Sequence, residues 1–319
     1  MPPVPRRRFL QGGLLQAGLG FLGGAAGGGL LPGGRNLVPT VASEPFPRVA
    51  APLRGLSLAA YSLRDEFAWV DGRPTGKQLD LFGFLDYCAQ LGLQGAEITS
   101  YYFEAPLTAA GVHALKRRAT LLGLDITGGA VRNNFSWTPG SAEARAEVRQ
   151  VCDWIDRYAD LGAPTIRVFA GVDPTGRLDE QQTIDHVAAN LEAALQHAER
   201  RGVLLGLENH DFTQRVGRLE AILSKVDSDW LGVTWDSGNV EAASDPYAEL
   251  QRIAPRAVTA QIKARVQVAG ASQPADFARL ANLLRQAGYC GYLVLEYEEN
   301  APPREAIPGL LRELRKALG

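Results

Sequence analysis

Short apolar runs alternate with amphipathic stretches along the chain from Gly55 to its C-terminal end. The runs resemble buried strands and lie near 55–61, 94–99, 124–130, 164–169, 203–208, 231–236, 257–263 and 291–297. The stretches between them have the three- and four-residue apolar spacing of helices and include Leu79 to Leu91, Arg145 to Leu161, Thr183 to Arg201, Arg218 to Val226, Phe277 to Ala287 and Ile307 to Leu318. Eight strands that alternate with helices predict an α/β fold, a (β/α)8 TIM barrel in a single domain.

Glycines mark the ends of the predicted helices. Five of them follow a helical stretch and precede a strand-like run, where a left-handed cap ends a helix; they are Gly92, Gly123, Gly162, Gly202 and Gly288. The rival α/β fold, an open doubly wound sheet, requires a glycine-rich loop after its first strand. The segment from Ala59 to Arg64 contains no glycine, which favours the barrel.

Polar side chains end four strand-like runs in the second half of the chain. Glu208, Asp236 and Glu296 are carboxylates, Gln261 is an amide, and Lys263 follows Gln261 by two residues. Because side chains alternate along a strand, we expect this set to point into the barrel, at the C-terminal strand ends where barrel enzymes place their sites. A buried carboxylate costs free energy unless it is paired or binds a metal. Three carboxylates and an amide together therefore predict one shared cation site.

Each of these residues taken alone has a simpler interpretation. A single acidic residue at a strand end is about as often a helix cap or a solvated loop residue as a ligand. Asp236, which precedes Ser237, Gly238 and Asn239, also fits an Asx turn. Only the joint occurrence on successive strands favours a functional site.

The same motifs resemble the xylose-isomerase-like family of sugar isomerases and epimerases, over about residues 55 to 319. The resemblance rests on Gly95-Ala96-Glu97-Ile98, Arg167-Val168-Phe169-Ala170-Gly171, Leu207-Glu208-Asn209-His210, Trp235-Asp236-Ser237-Gly238-Asn239 and Leu295-Glu296. In that family residues from strands five to eight bind one divalent metal, and the resemblance assigns this role to Glu208, Asp236, Gln261 and Glu296. The chain departs from the family pattern H-x-K-D at Gln261, where the family has histidine before Lys263.

The departure at Gln261 changes the metal that we expect. Glutamine and neutral histidine have the same charge, but glutamine offers a hard amide oxygen and histidine a softer nitrogen. A site with oxygen ligands alone favours Mg2+ or Mn2+ over Zn2+. We therefore expect one divalent ion of this kind as the cofactor.

The expected chemistry is the removal of a proton from a carbon next to a carbonyl or hydroxyl group. The metal would be the electrophile that stabilises an enediolate, and the resemblance implies that Glu208 and Glu296 act as base and acid. Lys263 is placed to stabilise an oxyanion. His210 either contacts a substrate hydroxyl, shuttles a proton, or is a loop histidine exposed to water.

The first four strands contribute candidate sugar contacts, which are Tyr61, Arg64, Glu97, Asn133 and Arg167. Arg167 inside a strand is costly without a carboxylate partner or an anionic substrate group, and Glu97 is the predicted partner. That pair belongs either to the site or only to the structure. Nearby loop aromatic residues stack on a sugar ring, form a lid, or pack in the core; they are Tyr101, Tyr102, Phe103, Phe135 and Trp137.

The favoured function is an enzyme, a metal-dependent isomerase or epimerase of an unphosphorylated sugar or keto-sugar. Two alternatives retain the same site: a lyase or dehydratase of keto-glycosides, and a carbohydrate-binding protein without turnover. A phosphodiesterase of the endonuclease IV branch requires a histidine-rich centre with several metals. The chain has only 4 histidines, which argues against it.

The net charge limits the possible partners of the protein, and the N-terminal residues indicate its location. A net charge of −2, from 33 basic and 35 acidic residues, offers no broad cationic surface for nucleic acid. Arg6 to Leu10, followed by a weakly apolar stretch to about Leu31, resembles a twin-arginine export signal. We expect a signal and linker over 1–42, the barrel over 43–319, and a periplasmic protein with no stable membrane insertion after signal removal. A homo-oligomer is also compatible with the sequence.

Overall fold

Eight parallel strands close into a barrel, as the sequence predicts. The structure is a computed structural model and describes residues 46, 48–49, 51–241 and 245–318. In chain order the barrel strands are β1 Gly55–Ala59, β2 Gly95–Thr99, β3 Asp125–Ala130, β4 Thr165–Val168, β5 Leu204–Glu208, β6 Leu231–Asp236, β7 Ala257–Ile262 and β8 Tyr292–Leu295. Each strand lies within the run predicted for it, to within about two residues at either end.

Helices surround the strands on the outside of the barrel. They are α1 Leu81–Gln90, α2 Ala109–Leu121, α3 Ala142–Leu161, α4 Glu180–Arg201, α5 Val216–Lys225, α6 Pro246–Ile253, α7 Phe277–Gln286 and α8 Pro303–Leu318. The sequence predicts a helix after each strand, and Gly123 marks the end of α2, but it gives no bounds for α2 or α6. Helix α2 buries only three residues along its 13-residue length, Val112, Leu115 and Ala119, so its apolar stripe is narrow. Helix α6 has only 8 residues, too few for a clear period.

The barrel closes between its first and last strands. Gly55 of β1 pairs with Tyr292 of β8, and Ser57 of β1 pairs with Gly95 of β2, both in parallel. A closed barrel leaves no strand edge unpaired. The parallel arrangement also brings the C-terminal ends of all strands to one mouth, which positions the candidate site.

The predicted glycine caps are confirmed. Gly162 ends α3 with φ 92° and Gly202 ends α4 with φ 68°, both in the left-handed region. A side chain at such a position would meet the backbone, so glycine ends the helix at the lowest cost. Positive φ values are also found at Gly92, Gly123 and Gly288.

The proposed export signal over 1–42 lies outside the described residues, so it stays a prediction. In the part of the chain that the structure describes, no helix is both long enough and apolar enough to cross a membrane.

The close approach of β3 to α3 gives a test of this packing. A Cβ atom at Gly129 would lie 2.3 Å from Cε1 of Tyr158, and the Tyr158 hydroxyl is held in place because it donates a hydrogen bond to the Ile98 carbonyl at 2.6 Å. We expect Gly129→Ala to lower the free energy of unfolding by about 1–3 kcal/mol through overpacking. Urea unfolding followed by circular dichroism measures this change.

The matched control is Gly217→Ala in α5, where a Cβ atom would meet nothing within 4 Å. Alanine has the higher helix propensity, so this variant should keep or slightly raise the stability. Equal stability of the two variants would mean that β3 and α3 do not pack as described.

Candidate functional site

Seven polar side chains meet inside the barrel, close to its C-terminal mouth. All are at most 7% exposed, and the prediction that Glu208, Asp236, Gln261, Lys263 and Glu296 point inward is confirmed. Six of them lie at strand ends or next to them, and one lies within β2. They are Glu97, Arg167, Glu208, Asp236, Gln261, Lys263 and Glu296.

The Lys263 ammonium group lies among three carboxylates. Its Nζ atom is 2.6 Å from Oε2 of Glu296, 3.2 Å from Oδ2 of Asp236 and 2.9 Å from Oε2 of Glu298. Burial alone would lower the pKa of Lys263, but these carboxylates raise it well above its usual value. Lys263 therefore stays charged and acts as the cation of this half of the site.

The Arg167 guanidinium group is the cation of the other half. Its Nε atom is 3.3 Å from Oε2 of Glu208, its Nη2 atom donates a hydrogen bond to the Tyr101 hydroxyl at 2.7 Å, and it lies over the ring of Phe169 at 4.1 Å. The prediction that Glu97 is the ion-pair partner of Arg167 is wrong. The ladder between β4 and β5 pairs Arg167 with Gly206, two residues before Glu208, and this register brings Arg167 to Glu208 instead.

Glu97 contacts Gln261. Nε2 of Gln261 donates a hydrogen bond to Oε1 of Glu97 at 2.8 Å, which crosses the barrel interior between β7 and β2. Burial is the main cause that raises the pKa of Glu97 to about 8, and the charge of Glu296 adds to it. Because its amide nitrogen is committed to Glu97, Gln261 presents its oxygen to the rest of the site.

The two proposed acid–base residues differ in their environment. Burial raises the pKa of Glu208, although Arg167 opposes this effect. Burial also acts on Glu296, but the charges of Lys263 and Arg167 outweigh it, so the pKa of Glu296 lies below its usual value. Two neighbouring carboxylates thus differ in their tendency to hold a proton, as acid–base pairs do.

Three of the four predicted metal ligands present a buried oxygen that accepts no hydrogen bond from any described residue: Oε2 of Glu208, Oδ2 of Asp236 and Oε1 of Gln261. The first two still face a cation, Arg167 at 3.3 Å and Lys263 at 3.2 Å. Such atoms are costly unless a ligand satisfies them. Glu208, Asp236 and Glu296 also outnumber the two buried cations, while the pKa of Glu97 is raised to about 8. The donor types therefore fit a divalent metal with oxygen ligands.

The arrangement of the carboxylates sets a limit to this fit. Among the described residues, no group of three or more His, Cys, Asp or Glu side chains is close enough together to hold a metal ion. Gln261 replaces the histidine of the family pattern, and Oε2 of Glu296 accepts a hydrogen bond from Lys263 at 2.6 Å. The side chain of Lys263 thus competes for the oxygens that a metal would need.

Backbone and amide contacts hold the strand ends in register. The Asn209 side chain donates to the carbonyl groups of Asp236 and Asn239 at 2.9 and 3.0 Å, and accepts from the Asp236 amide at 2.9 Å. Nδ2 of Asn239 donates to Oε1 of Glu208 at 3.0 Å. Both asparagines belong to the motifs given above, but the sequence alone did not assign them to the site. The signal for them was an amide side chain close in sequence to two predicted ligands, Glu208 and Asp236.

Asp236 uses its two oxygens for different purposes. Oδ1 accepts a hydrogen bond from the Gly238 amide at 2.7 Å, which is the Asx turn considered above, while Oδ2 faces Lys263 at 3.2 Å. The two interpretations of this residue are therefore compatible. The turn fixes the rotation of the carboxylate and aims the second oxygen into the site.

The other predicted contacts lie around the mouth. Arg64 donates to the carbonyl groups of Tyr297 and Glu298 at 3.1 and 3.3 Å and lies over the ring of Tyr61. Asn133 exchanges two hydrogen bonds with the backbone of Phe169, at 2.8 and 2.9 Å, so it joins two loops. Contact of these residues with a sugar stays a prediction.

His210 is half-buried at the end of β5. Its Nδ1 atom is 3.0 Å from Oδ2 of Asp211, and its ring lies 4.7 Å from that of Phe169. It thus borders the site beside Glu208 and remains partly accessible to water, which is compatible with both interpretations given above.

Most of the loop aromatic residues are packed rather than free to form a lid. Tyr101, Tyr102, Phe103 and Phe135 are buried, and Tyr102 stacks on Phe67 with ring centroids 4.0 Å apart. Tyr101 combines packing with the hydrogen bond from Arg167. It is therefore the aromatic residue among these that contacts the polar site.

Comparisons with known proteins agree with this architecture. A family model described as "Xylose isomerase-like TIM barrel" matches residues 85–317. A search of curated proteins by sequence gives no match.

Solved structures with the same fold include sugar epimerases. The 3-keto-D-glucoside 4-epimerase YcjR from E. coli is 16% identical over 78% of this chain and 99% of its own, with a TM-score of 0.62. D-Psicose 3-epimerase from Clostridium cellulolyticum, solved with D-tagatose, is 16% identical over 83% of this chain and 99% of its own, with a TM-score of 0.62. The IOLI protein, solved with a zinc atom, is 13% identical over 82% of this chain and 96% of its own, with a TM-score of 0.65. At these identities the likeness concerns the fold.

The ion pair between Arg167 and Glu208 gives a test of the site's electrostatics. Arg167→Met would leave the Glu208 carboxylate buried without its cation, so we expect a loss of about 3–5 kcal/mol in the free energy of unfolding. Adding Glu208→Gln to that variant removes the unpaired charge and should restore part of the loss. Guanidinium unfolding of the two single variants and the double variant measures the coupling, and simple additivity would contradict the pairing.

Proposed function

The chain belongs to the xylose isomerase-like TIM barrel family, and on this basis we propose that it is a sugar isomerase or epimerase. The proposed reaction removes a proton from the carbon next to a carbonyl or hydroxyl group of an unphosphorylated sugar or keto-sugar. The observation that carries this proposal is the pair of buried carboxylates, Glu208 and Glu296, each held by its own cation inside the barrel.

Glu208 and Glu296 are the proposed acid–base pair. Each is oriented by the protein through one oxygen: Oε1 of Glu208 accepts from Asn239, and Oε2 of Glu296 accepts from Lys263. In a racemising or epimerising site, one such group removes the proton and the other returns it. The Lys263 ammonium group, which contacts both Glu296 and Glu298, is the proposed donor that stabilises negative charge on a substrate oxygen.

The proposed metal ligands are Glu208, Asp236, Gln261 and Glu296. When bound there, a divalent ion supplies a Lewis acid for the oxygens next to the reacting carbon. The oxygen donors support Mn2+ or Mg2+ over Zn2+, in contrast to the zinc of the IOLI protein.

The charges of the site support an unphosphorylated substrate. Lys263 is matched by three carboxylates, and Arg167 by Glu208 and Tyr101. A phosphate group would need a cation that is not already paired, and the buried part of the described site offers none. Neutral hydroxyl groups, in contrast, hydrogen-bond to carboxylates and to Tyr61 or His210 at the mouth without added charge.

The location is proposed from the N-terminal sequence. The arginine pair with the following apolar stretch supports export to the periplasm by the twin-arginine route, in which a protein folds before transport. An unphosphorylated sugar as substrate is consistent with such a location.

Deuterium exchange tests the proposed reaction. The protein is incubated in D2O with ketohexoses and with 3-keto-glycosides, and mass spectrometry follows the sugars. We expect solvent deuterium in a recovered or epimeric sugar, and a decrease of about 10²- to 10⁴-fold in the exchange rate for Glu208→Gln and for Glu296→Gln.

The control is Glu192→Gln, an exposed glutamate of α4, which should leave the rate unchanged. An unsaturated product or a released aglycone would instead identify a lyase. Tight sugar binding without any deuterium incorporation would identify a binding protein and overturn the proposal.

Metal removal tests the cofactor. After treatment with EDTA, deuterium exchange should be lost, and Mn2+ or Mg2+ should restore it more fully than Zn2+ at the same concentration. Exchange that continues at the full rate in EDTA would contradict a metal requirement, and stoichiometric zinc in the purified protein would contradict the preference for hard ions.

A further inference from the structure

Lys263 contacts two of the four side chains proposed to bind the metal. Its ammonium group lies 2.6 Å from Oε2 of Glu296 and 3.2 Å from Oδ2 of Asp236. Asp236 is completely buried and Glu296 is 2% exposed. A cationic side chain is therefore built into the same oxygen cluster that a divalent ion would use.

We propose that Lys263 is an internal competitor of the metal, which sets the affinity of the site by occupying Asp236 and Glu296. This inference rests on the proposed metal site. Asp236 and Glu296 would hold a divalent ion only where the ammonium group gives them up, and Glu298 is the partner that it would keep.

The electrostatic argument is direct. Two cations that share one carboxylate repel each other, and this repulsion is large where water is excluded. If the ammonium group stayed between Asp236 and Glu296, a divalent ion beside it would gain less from either carboxylate. Moving the ammonium group away removes the repulsion but costs the ion pairs that it makes. In both cases Lys263 weakens the binding of the ion.

The Lys263 residue is held at its backbone and Cγ, and its ammonium group has Glu298 as a further partner. The Lys263 amide donates to Oγ of Ser237 at 2.8 Å, and Gly238 packs so closely that a Cβ there would lie 2.6 Å from Cγ of Lys263. The lysine stem beyond this point is flexible. Glu298 is already 2.9 Å from Nζ, and its side chain is 40% exposed, so it offers a partner at the rim.

Substitutions of Lys263 and of Glu298 should have opposite effects on the affinity for Mn2+. Lys263→Met removes the competitor, so the affinity for Mn2+ should increase, within the range of about 5- to 150-fold that is usual for coupled sites. Glu298→Gln removes the outer partner and leaves the ammonium group on Asp236 and Glu296, so the affinity should decrease. A lysine whose charge does not act on the site predicts neither change.

Calorimetric titration of the metal-free full chain with Mn2+ measures both effects, with the Mn2+-induced shift of the thermal unfolding temperature as a second readout. The matched control is Lys225→Met. Lys225 pairs with Asp185 at 2.9 Å on the helical surface, and its loss should leave Mn2+ affinity unchanged.

The inference is supported if Lys263→Met binds Mn2+ more tightly than the unmodified protein and Glu298→Gln more weakly. If Lys263→Met folds only with Mn2+ present, the larger thermal shift gives the same support, and if it does not fold at all, Glu298→Gln decides alone. Affinities of Lys263→Met or of Glu298→Gln equal to that of the unmodified protein overturn the inference while the metal site stands. Absence of Mn2+ and Mg2+ binding in every variant overturns the metal site itself.

Discussion

The structure depends on how acidic groups are held inside a closed barrel. Four carboxyl groups are buried near the mouth: the pKa of Glu97 is raised to about 8, and the other three contact two cations, Lys263 and Arg167. Removing carboxylates from water is costly unless each gains partners of opposite charge or well-directed hydrogen bonds. The two cations divide the site into halves, with Glu208 on Arg167 and Glu296 on Lys263. Among the described residues of this site, Oε2 of Glu97 and Oε1 of Gln261 are the buried oxygens that have neither a hydrogen bond nor an ion pair.

The fold makes this arrangement rigid. Parallel strands end at the same mouth, and Asn209 joins the ends of β5 and β6 through three hydrogen bonds to backbone groups. The Asx turn at Asp236 fixes one carboxylate oxygen, and Ser237 links that turn to the backbone at Lys263. Because the strand ends are fixed in this way, a ligand or a metal would meet oxygens that are already directed. Preorganisation of this kind reduces the reorganisation required when charge develops on a substrate.

The sequence was sufficient for the barrel and for the inward direction of the strand-end side chains, because both follow from local periodicity. The strand-like runs and the alternation of side chains placed Glu208, Asp236, Gln261 and Glu296 on the inner face without any knowledge of distant contacts. The pairing of these residues was not predictable in the same way. Arg167 meets Glu208 rather than Glu97 because of the register between β4 and β5, which the sequence of either strand does not encode alone. The contacts of Tyr101 and Glu298 were missed for the same reason, since each comes from a loop whose path depends on the packed barrel.

The central claim is that the strand-end oxygens serve one divalent cation. The most direct measurement is a crystal structure of the full chain grown with Mn2+, with an anomalous-scattering map recorded at the manganese edge. The account predicts one strong peak within bonding distance of Glu208, Asp236, Gln261 and Glu296, with the Lys263 ammonium group displaced toward Glu298. A map without a peak among these four side chains, with Lys263 still bound to Asp236 and Glu296, would contradict it.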